Sequence, residues 1–202
     1  METLGGAWQN LSKIEEFSYT CGYCGTKTGV NVGYQVDREM HTIYICGGCK
    51  RPTFFEEDQD SGEVFQTPAP AYGDDLQNLS QEIEQLYNQA RRCIQAGAYT
   101  GCILICRKIL MHVAVEEGAN SGQNFLSYVT YLQTNNYIPP KGQGWVDYIR
   151  QRGNEENHEI VLSSLEDATL LIDFTSMLLR NVYDFPARVP KLPSTPPTVA
   201  KP

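Results

Sequence analysis

The chain has 202 residues, of which 20% are charged and 41% hydrophobic, with a formal net charge of −8. That composition supports a buried core and excludes a chain disordered throughout, and the length admits one ordinary domain or two small ones. The acidity excludes the polycationic footprint of a non-specific DNA binder, and no run approaches the roughly eighteen apolar residues of a membrane helix.

The charge is uneven: residues 1–75 carry −7, residues 76–185 carry −4 and residues 186–202 carry +3. The opening METLGGAWQNLSKIEEF has no basic stretch followed by an apolar one, so it does not read as a secretory signal. Seven cysteines follow, at positions 21, 24, 46, 49, 93, 102 and 106. The odd count argues against a disulfide framework and for a reducing compartment, and the expected location is cytoplasmic.

Cys21-Gly-Tyr-Cys24 and Cys46-Gly-Gly-Cys49 are two Cys-x-x-Cys pairs. Two thiolates from one tight turn bind one edge of a tetrahedral ion, and a second turn supplies the other two. The reading is one structural Zn2+ held by Cys21, Cys24, Cys46 and Cys49. A redox dithiol is the competing reading, but it belongs at a helix start, and the surroundings here are strand-like. Val30, Val32, Tyr34 and Val36 alternate with polar residues or glycine, which predicts a half-buried strand. Thr42 to Ile45 predicts its partner, residues 37–41 the turn, and residues 53–55 and 63–66 one or two further short strands. His41 is read as a solvated turn residue, not a ligand. A module under ~70 residues seldom buries enough to fold alone, so it should depend on its metal.

Two prolines and a glycine in the run after Gln66 mark a linker. Asp74 or Asp75 is the expected cap of a first helix carrying Leu76, Leu79, Ile83, Leu86, Tyr87, Ala90 and Ile94, which Gly97 ends. A second helix is predicted over 99–117, with Tyr99, Cys102, Ile103, Cys106, Ile109, Leu110 and Val113 as its stripe. Leu104, Ile105 and Met111 widen that stripe, so the helix should be central. Cys93, Cys102 and Cys106 read as core packing. Arg107, at the stripe margin, should pair with an acid on another helix, and His112 should be solvated or at a subunit contact.

A third helix is predicted over 123–133, with Phe125, Tyr128, Val129 and Leu132 inward. A fourth starts near Gly144, with Trp145, Tyr148 and Ile149 inward, and Gly153-Asn154 should interrupt it. Ser163 or Ser164 is the expected cap of a last helix, and Ser163 with Glu166 fits a capping box; the helix is buried through Leu165, Ala168, Ile172, Leu179 and Val182 and ends before Pro186. Residues 186–202 hold six prolines and no apolar period, which predicts a disordered tail.

The expected fold class is α+β, mainly α: a small β zinc ribbon (1–66), a linker (67–75), an α-helical bundle (76–185) and the proline-rich tail (186–202). Apolar positions outside the single stripes, among them Leu104, Ile105, Met111, Leu170, Phe174 and Met177, predict self-association as a homodimer. Lys27, Lys50 and Arg51 sit near the knuckles, but acids outnumber them in the module. A protein partner is therefore favoured over nucleic acid for the ribbon, with RNA as the lesser partner and no membrane.

Cys102-Ile-Leu-Ile-Cys-Arg107-Lys-Ile-Leu, then Trp145-Val-Asp-Tyr-Ile-Arg150-Gln-Arg-Gly-Asn-Glu-Glu-Asn-His158, then Leu165-Glu-Asp-Ala168 resemble the signatures of domain-of-unknown-function family 4145. The likeness spans about residues 75–185. It implies a HEPN-like helical bundle, often dimeric, often preceded by a Cys-x-x-Cys ribbon and found with restriction and defence proteins. Many HEPN members cleave RNA without metal through an arginine and a histidine with four to six residues between them. Arg152 and His158 fit that spacing and Arg150 does not. Arg152 is followed by glycine where nucleolytic members carry a polar residue.

Arg150, Arg152, Asn154 and His158 are the candidate catalytic set. Histidine moves one proton near neutral pH, arginine clamps phosphate oxygens, and Asn154 can orient the imidazole. The bland reading has Arg150 and His158 paired with Asp147, Glu155, Glu156 or Glu159. The leading function is a non-catalytic or weakly catalytic zinc-binding recognition and assembly protein in nucleic-acid-linked defence. The alternative is a metal-independent endoribonuclease.

Overall fold

The computed structural model describes residues 7–36, 41–155 and 163–190, without the side chains of residues 150–155. An antiparallel five-stranded sheet comes first, its strands paired in chain order. They are β1 (Ser12–Thr20), β2 (Lys27–Gln35), β3 (His41–Ile45), β4 (Pro52–Glu57) and β5 (Val64–Thr67). The sequence reading anticipated β2 to β5 and missed β1. Glu15 and Glu16 break its apolar alternation, and the pairing shifts register between Lys13 and Phe17. Such a bulge absorbs extra residues in one strand and restores the alternation beyond it. Phe17 and Tyr19 then reach Tyr44 and Phe55 at ring separations of 5.0–6.2 Å. Each such ring pair adds about 0.5–1.5 kcal/mol beyond the area it buries. Gly33 permits the tight β2–β3 pairing, because a Cβ there would sit 1.9 Å from the Ile43 carbonyl oxygen. The expected turn at 37–41 lies outside the described residues except for His41, which opens β3.

Residues 68–80 form no helix or strand, yet they are pinned along the bundle. Arg91 donates to the carbonyls of Tyr72 and Gly73 at 2.8 and 3.0 Å and pairs with Asp75 at 2.6 Å. The Tyr72 hydroxyl donates to Asp173 at 2.9 Å. Neither Asp74 nor Asp75 caps the first helix, which corrects the sequence reading. Asp74 instead pairs with Arg180 at 2.8 Å. The cap is Ser80, accepting from the Ile83 amide, and α1 spans Gln81–Gln95.

The bundle continues with α2 (Tyr99–Glu116), α3 (Phe125–Thr134), a 3₁₀ turn at Pro140–Gly142, α4 (Gln143–Glu155) and α5 (Leu165–Leu179). A π turn at Arg180–Asp184 leads into α6 (Phe185–Arg188). α2 is central: Cys102, Cys106, Ile109, Leu110, Val113 and Ala114 are fully buried, against Ile83, Tyr87, Val129, Val146, Ile172 and Leu178. Arg107 stacks its guanidinium over the Phe125 ring at 4.5 Å. Exposed His112 meets Glu116 at 3.7 Å.

Four further expectations are corrected. α4 runs through Gly153 and Asn154 without a break. Of the two serines expected to cap α5 it is Ser164, and its capping box closes with Asp167, one residue beyond the expected pair, while Leu165 beside it is exposed. Helical structure passes Pro186, because the wider π ring preceding it relieves the clash between a proline ring and the carbonyl four residues back. Of the apolar residues read as lying outside the stripes, Phe174 is fully buried and only Leu104, 59% exposed, is largely open. Among the described residues, no helix is long and apolar enough to cross a membrane.

Asp184 closes the bundle. Its carboxylate is buried and accepts from Asn78 at 3.0 Å and from Arg188 at 2.6 and 2.9 Å. The hydrogen bonds from Arg188, helped by Asn78, hold it below the usual carboxylate range. A lowered folded-state pKa contributes stability that is fully present above the unfolded value, near pH 4, and fades as pH falls through the folded value. We expect Asp184→Asn to lower the melting temperature at pH 7 and to shrink the difference from wild type as pH drops below about 4, read by thermal melts across pH. Ser164→Ala removes the α5 cap and should cost about 1 kcal/mol in a denaturant titration.

Candidate metal centre

Cys21 to Cys24 and Cys46 to Cys49 form two matching knuckles, one after β1 and one after β3. In the first, the Gly25 amide donates to the Cys21 carbonyl at 2.8 Å, and the Cys21 amide to Thr26 at 3.0 Å. In the second, Lys50 donates to Cys46 at 3.1 Å, and Cys46 to Arg51 at 3.0 Å. Each turn ends in a left-handed residue, Gly25 at φ +70° and Lys50 at φ +61°. Glycine meets that demand without strain. In Lys50 the ammonium is held by the Gly47 carbonyl at 2.8 Å and its own carbonyl accepts from Trp8 at 2.8 Å.

The knuckles bring the four sulfurs within 4.8 Å of one another. Cys21 lies 3.8 Å from Cys49, and Cys24 lies 3.8 Å from Cys46. A disulfide requires about 2.05 Å. A tetrahedron of sulfurs around an ion with metal–sulfur bonds of about 2.3 Å has edges of about 3.8 Å, the spacing seen here. The donors are four thiols, three of them buried. These residues can therefore hold a metal ion with no coordination position left for water or substrate.

As free thiols the four ionise unequally. Burial pushes Cys21 up and Cys49 up to about 12. At Cys24 burial also opposes ionisation, but the Thr26 hydroxyl and amide and the neighbouring thiols outweigh it and bring the group to about 6. Four negative charges this close need a cation among them. Burial beside the cluster holds the Tyr19 phenol up at about 12, so it remains a neutral wall. His41 is no ligand: it stacks on Phe54 at 5.8 Å and meets Glu56 at 3.4 Å.

The first knuckle also touches the helical half. The Gln95 side-chain amide, at the end of α1, donates to the Gly22 carbonyl at 3.0 Å and to the Ala69 carbonyl at 2.8 Å. Gln66 donates to Thr20 at 2.8 Å and Pro68 at 3.0 Å. A Cβ on Gly22 would lie 2.2 Å and 2.5 Å from the carbonyl oxygens of Pro68 and Ala69. Residue spacing announced the cysteine cluster but not this contact, which joins residues 73 positions apart.

Arg150, Arg152 and Asn154 fall on the last turns of α4, and their side chains lie outside the described residues. His158 lies outside them altogether. Their end of the bundle is fixed by neighbours: the Tyr148 hydroxyl donates to Asp167, and Thr100 meets Ser163 at 3.4 Å. This is the end where α1 passes into α2, and thus the end that carries the ribbon. Cys102 and Cys106 are fully buried in the bundle core, and Cys93 packs at its edge.

Elemental analysis of purified protein should return one metal ion per chain. Cys46→Ser should abolish it and unfold the ribbon while the helical circular dichroism persists. Gly22→Ala should keep the metal but loosen the seat of residues 68–69, seen as faster amide exchange there and at Gln95.

A family model described as a domain of unknown function (DUF4145) matches residues 88–195. The match begins inside α1 and leaves the ribbon outside it. No curated protein and no solved structure matches the chain.

Proposed function

The chain belongs to the DUF4145 family, whose model covers more than half of it, and from that premise we propose a zinc-stabilised recognition and assembly protein that works in nucleic-acid-linked defence. In this reading the bundle is HEPN-like and the ribbon contacts protein. The observation that carries the reading is the closed sulfur cluster fastened to α1 through Gln95. Tetrahedral four-sulfur sites are the habit of zinc and of iron–sulfur centres, and a mononuclear site in a structural ribbon favours zinc. Zinc there supplies cross-linking and charge neutralisation rather than Lewis-acid chemistry, since every position is taken by sulfur.

The acidity of the ribbon supports protein over nucleic acid as its partner. Residues 1–75 carry −7, which repels phosphate at the distances where association begins. Two of the three cations near the knuckles are engaged: Lys50 with Gly47, and Arg51 over the Tyr23 ring at 5.1 Å. A homodimer fits the reading, although Leu104 alone is a small apolar contact for one.

The endoribonuclease alternative rests on Arg150, Arg152, Asn154 and His158, and one experiment separates the two. Purified protein is incubated with labelled RNA in chelator beside His158→Ala. We expect no cleavage by either, and an unchanged fold and metal content in the variant. Cleavage by wild type that His158→Ala abolishes would replace recognition with catalysis.

A further inference from the structure

Resting on the reading of the four cysteines as a zinc site, we propose that Gln95 makes the seating of residues 68–75 on the bundle depend on the metal in the ribbon. With the ion bound, the segment is clasped over α1 and α5. With the ion lost, it lifts. Gln95 is thus a positioning residue for the metal site, acting through the backbone of the first knuckle.

The segment is poised to lift. None of residues 68–75 is fully buried, although Leu76 just beyond them is. Tyr72 is its one large side chain, and it is half-buried. Polar contacts hold it down: Arg91 on the carbonyls of Tyr72 and Gly73, and the Tyr72 hydroxyl on Asp173 of α5. The Arg91–Asp75 pair adds little, because Asp75 is 84% exposed and solvent screens it. Segments that bury little apolar area are the first to open. Beneath this one the bundle is dry. A Cβ on Gly73 would stand 3.0 Å from the Tyr87 hydroxyl and 4.0 Å from Ile172, and these residues are 2% and 0% exposed. Lifting the segment therefore uncovers a seam between α1 and α5.

The clasp is a single amide with two donors. Gln95 gives one to the Gly22 carbonyl and one to the Ala69 carbonyl. Gln66 makes a matching bridge from the ribbon side, to Thr20 and Pro68. Gly22 stands between two of the sulfur donors, so the knuckle turn sets the direction of its carbonyl. Among the described residues the ribbon core holds seven buried residues, three of them cysteines. That is too small a core to keep the turn without an ion. When the turn loosens, Gln95 is left with Ala69 alone. Two residues separate Ala69 from Tyr72, so slack at one is felt at the other.

Such coupling is reciprocal. The factor by which the ion favours seating is the factor by which seating raises the affinity for the ion. A side chain bonded to carbonyl oxygens rather than to sulfurs therefore contributes to zinc affinity.

The test uses the full chain with bound Zn2+, after chelation, and after Zn2+ is returned. Chymotrypsin reports seating through the rate of the cut after Tyr72, which tracks the lifted population when lifting is fast relative to cleavage. Competition with a chromophoric chelator reports zinc affinity, and helical circular dichroism checks the bundle. Gln95→Glu keeps the shape and removes both donors, and Gln95→Ala does so without adding a charge. Arg92→Ala, exposed on the same turn of α1, is the control. Chelation should speed the cut by about fivefold or more in wild type, and Zn2+ should reverse it. Both Gln95 variants should be cut at a rate that no longer responds to Zn2+. They should hold zinc more weakly by the factor that chelation produces in wild type, with the helical signal intact. Arg92→Ala should behave as wild type. A cut that ignores the metal in wild type overturns the coupling and leaves the zinc site standing. Gln95 variants that match wild type, or that loosen the segment at unchanged zinc affinity, overturn the role of Gln95, as does an Arg92→Ala that matches them. A chain that binds no zinc overturns the zinc reading and the proposal together.

Discussion

Four sulfurs within 4.8 Å of one another cannot all carry charge unless a cation stands between them, and the ribbon is organised around that constraint. Three of the four are themselves part of its small core, beside Tyr19, Val30, Tyr44 and Phe55. Protonated, they are four modest apolar groups. Ionised around a metal, they become a cross-link between the β1–β2 and β3–β4 connections. A module this small would gain from a metal held there what a larger domain gains from buried area. The positive φ of Lys50 fits the same logic, since strain in one knuckle is tolerable where its ligands are fixed from both sides.

From the sulfurs the constraint passes to the bundle through backbone carbonyls. Gly22 lies between two cysteines, and its carbonyl accepts from Gln95. The same amide holds Ala69, and Arg91 one turn earlier holds Tyr72 and Gly73. Residues 68–75 are thus laid along α1 by two side chains from α1 itself. The stretch that composition marks as a linker is seated along α1, and the absence of side-chain bulk at Gly22 is what lets it approach. Ribbon and bundle keep separate hydrophobic cores, yet the path between them is polar, short and hydrogen-bonded.

The features legible in the sequence are those in which neighbours in the chain carry the signal. Cysteine spacing revealed the four residues that come together and could hold a metal, alternation revealed β2 and β3, and the 3.6-residue period revealed α2 almost to the residue. What escaped depended on partners far away. β1 was hidden because Glu15 and Glu16 mask an alternation that only a bulge against β2 restores. Asp74 and Asp75 look like caps until Arg180 and Arg91 are found to claim them. Leu165 has the spacing of a buried residue, but it sits at the first turn of α5, where the bundle does not cover it. Phe174 looked surplus to a stripe and instead packs against Trp145, its ring tilted to the indole at 5.7 Å.

The unbroken course of α4 bears on the Arg150 segment. Gly153 inside a helix costs about 1 kcal/mol relative to alanine, so something must hold that turn. Upstream, Val146 is fully buried, Ile149 nearly so, and the Tyr148 hydroxyl is bound to Asp167. That bond reaches the carboxylate that also closes the α5 capping box, so the start of α5 and the middle of α4 stabilise each other. With the helix continuous, the backbone positions of Arg150 and Asn154 fall one turn apart on the same side, and that of Arg152 falls away from them. Helical register alone then groups Arg150 with Asn154, and no kink is needed to bring them together. The grouping lies at the end of the bundle that also bears the ribbon.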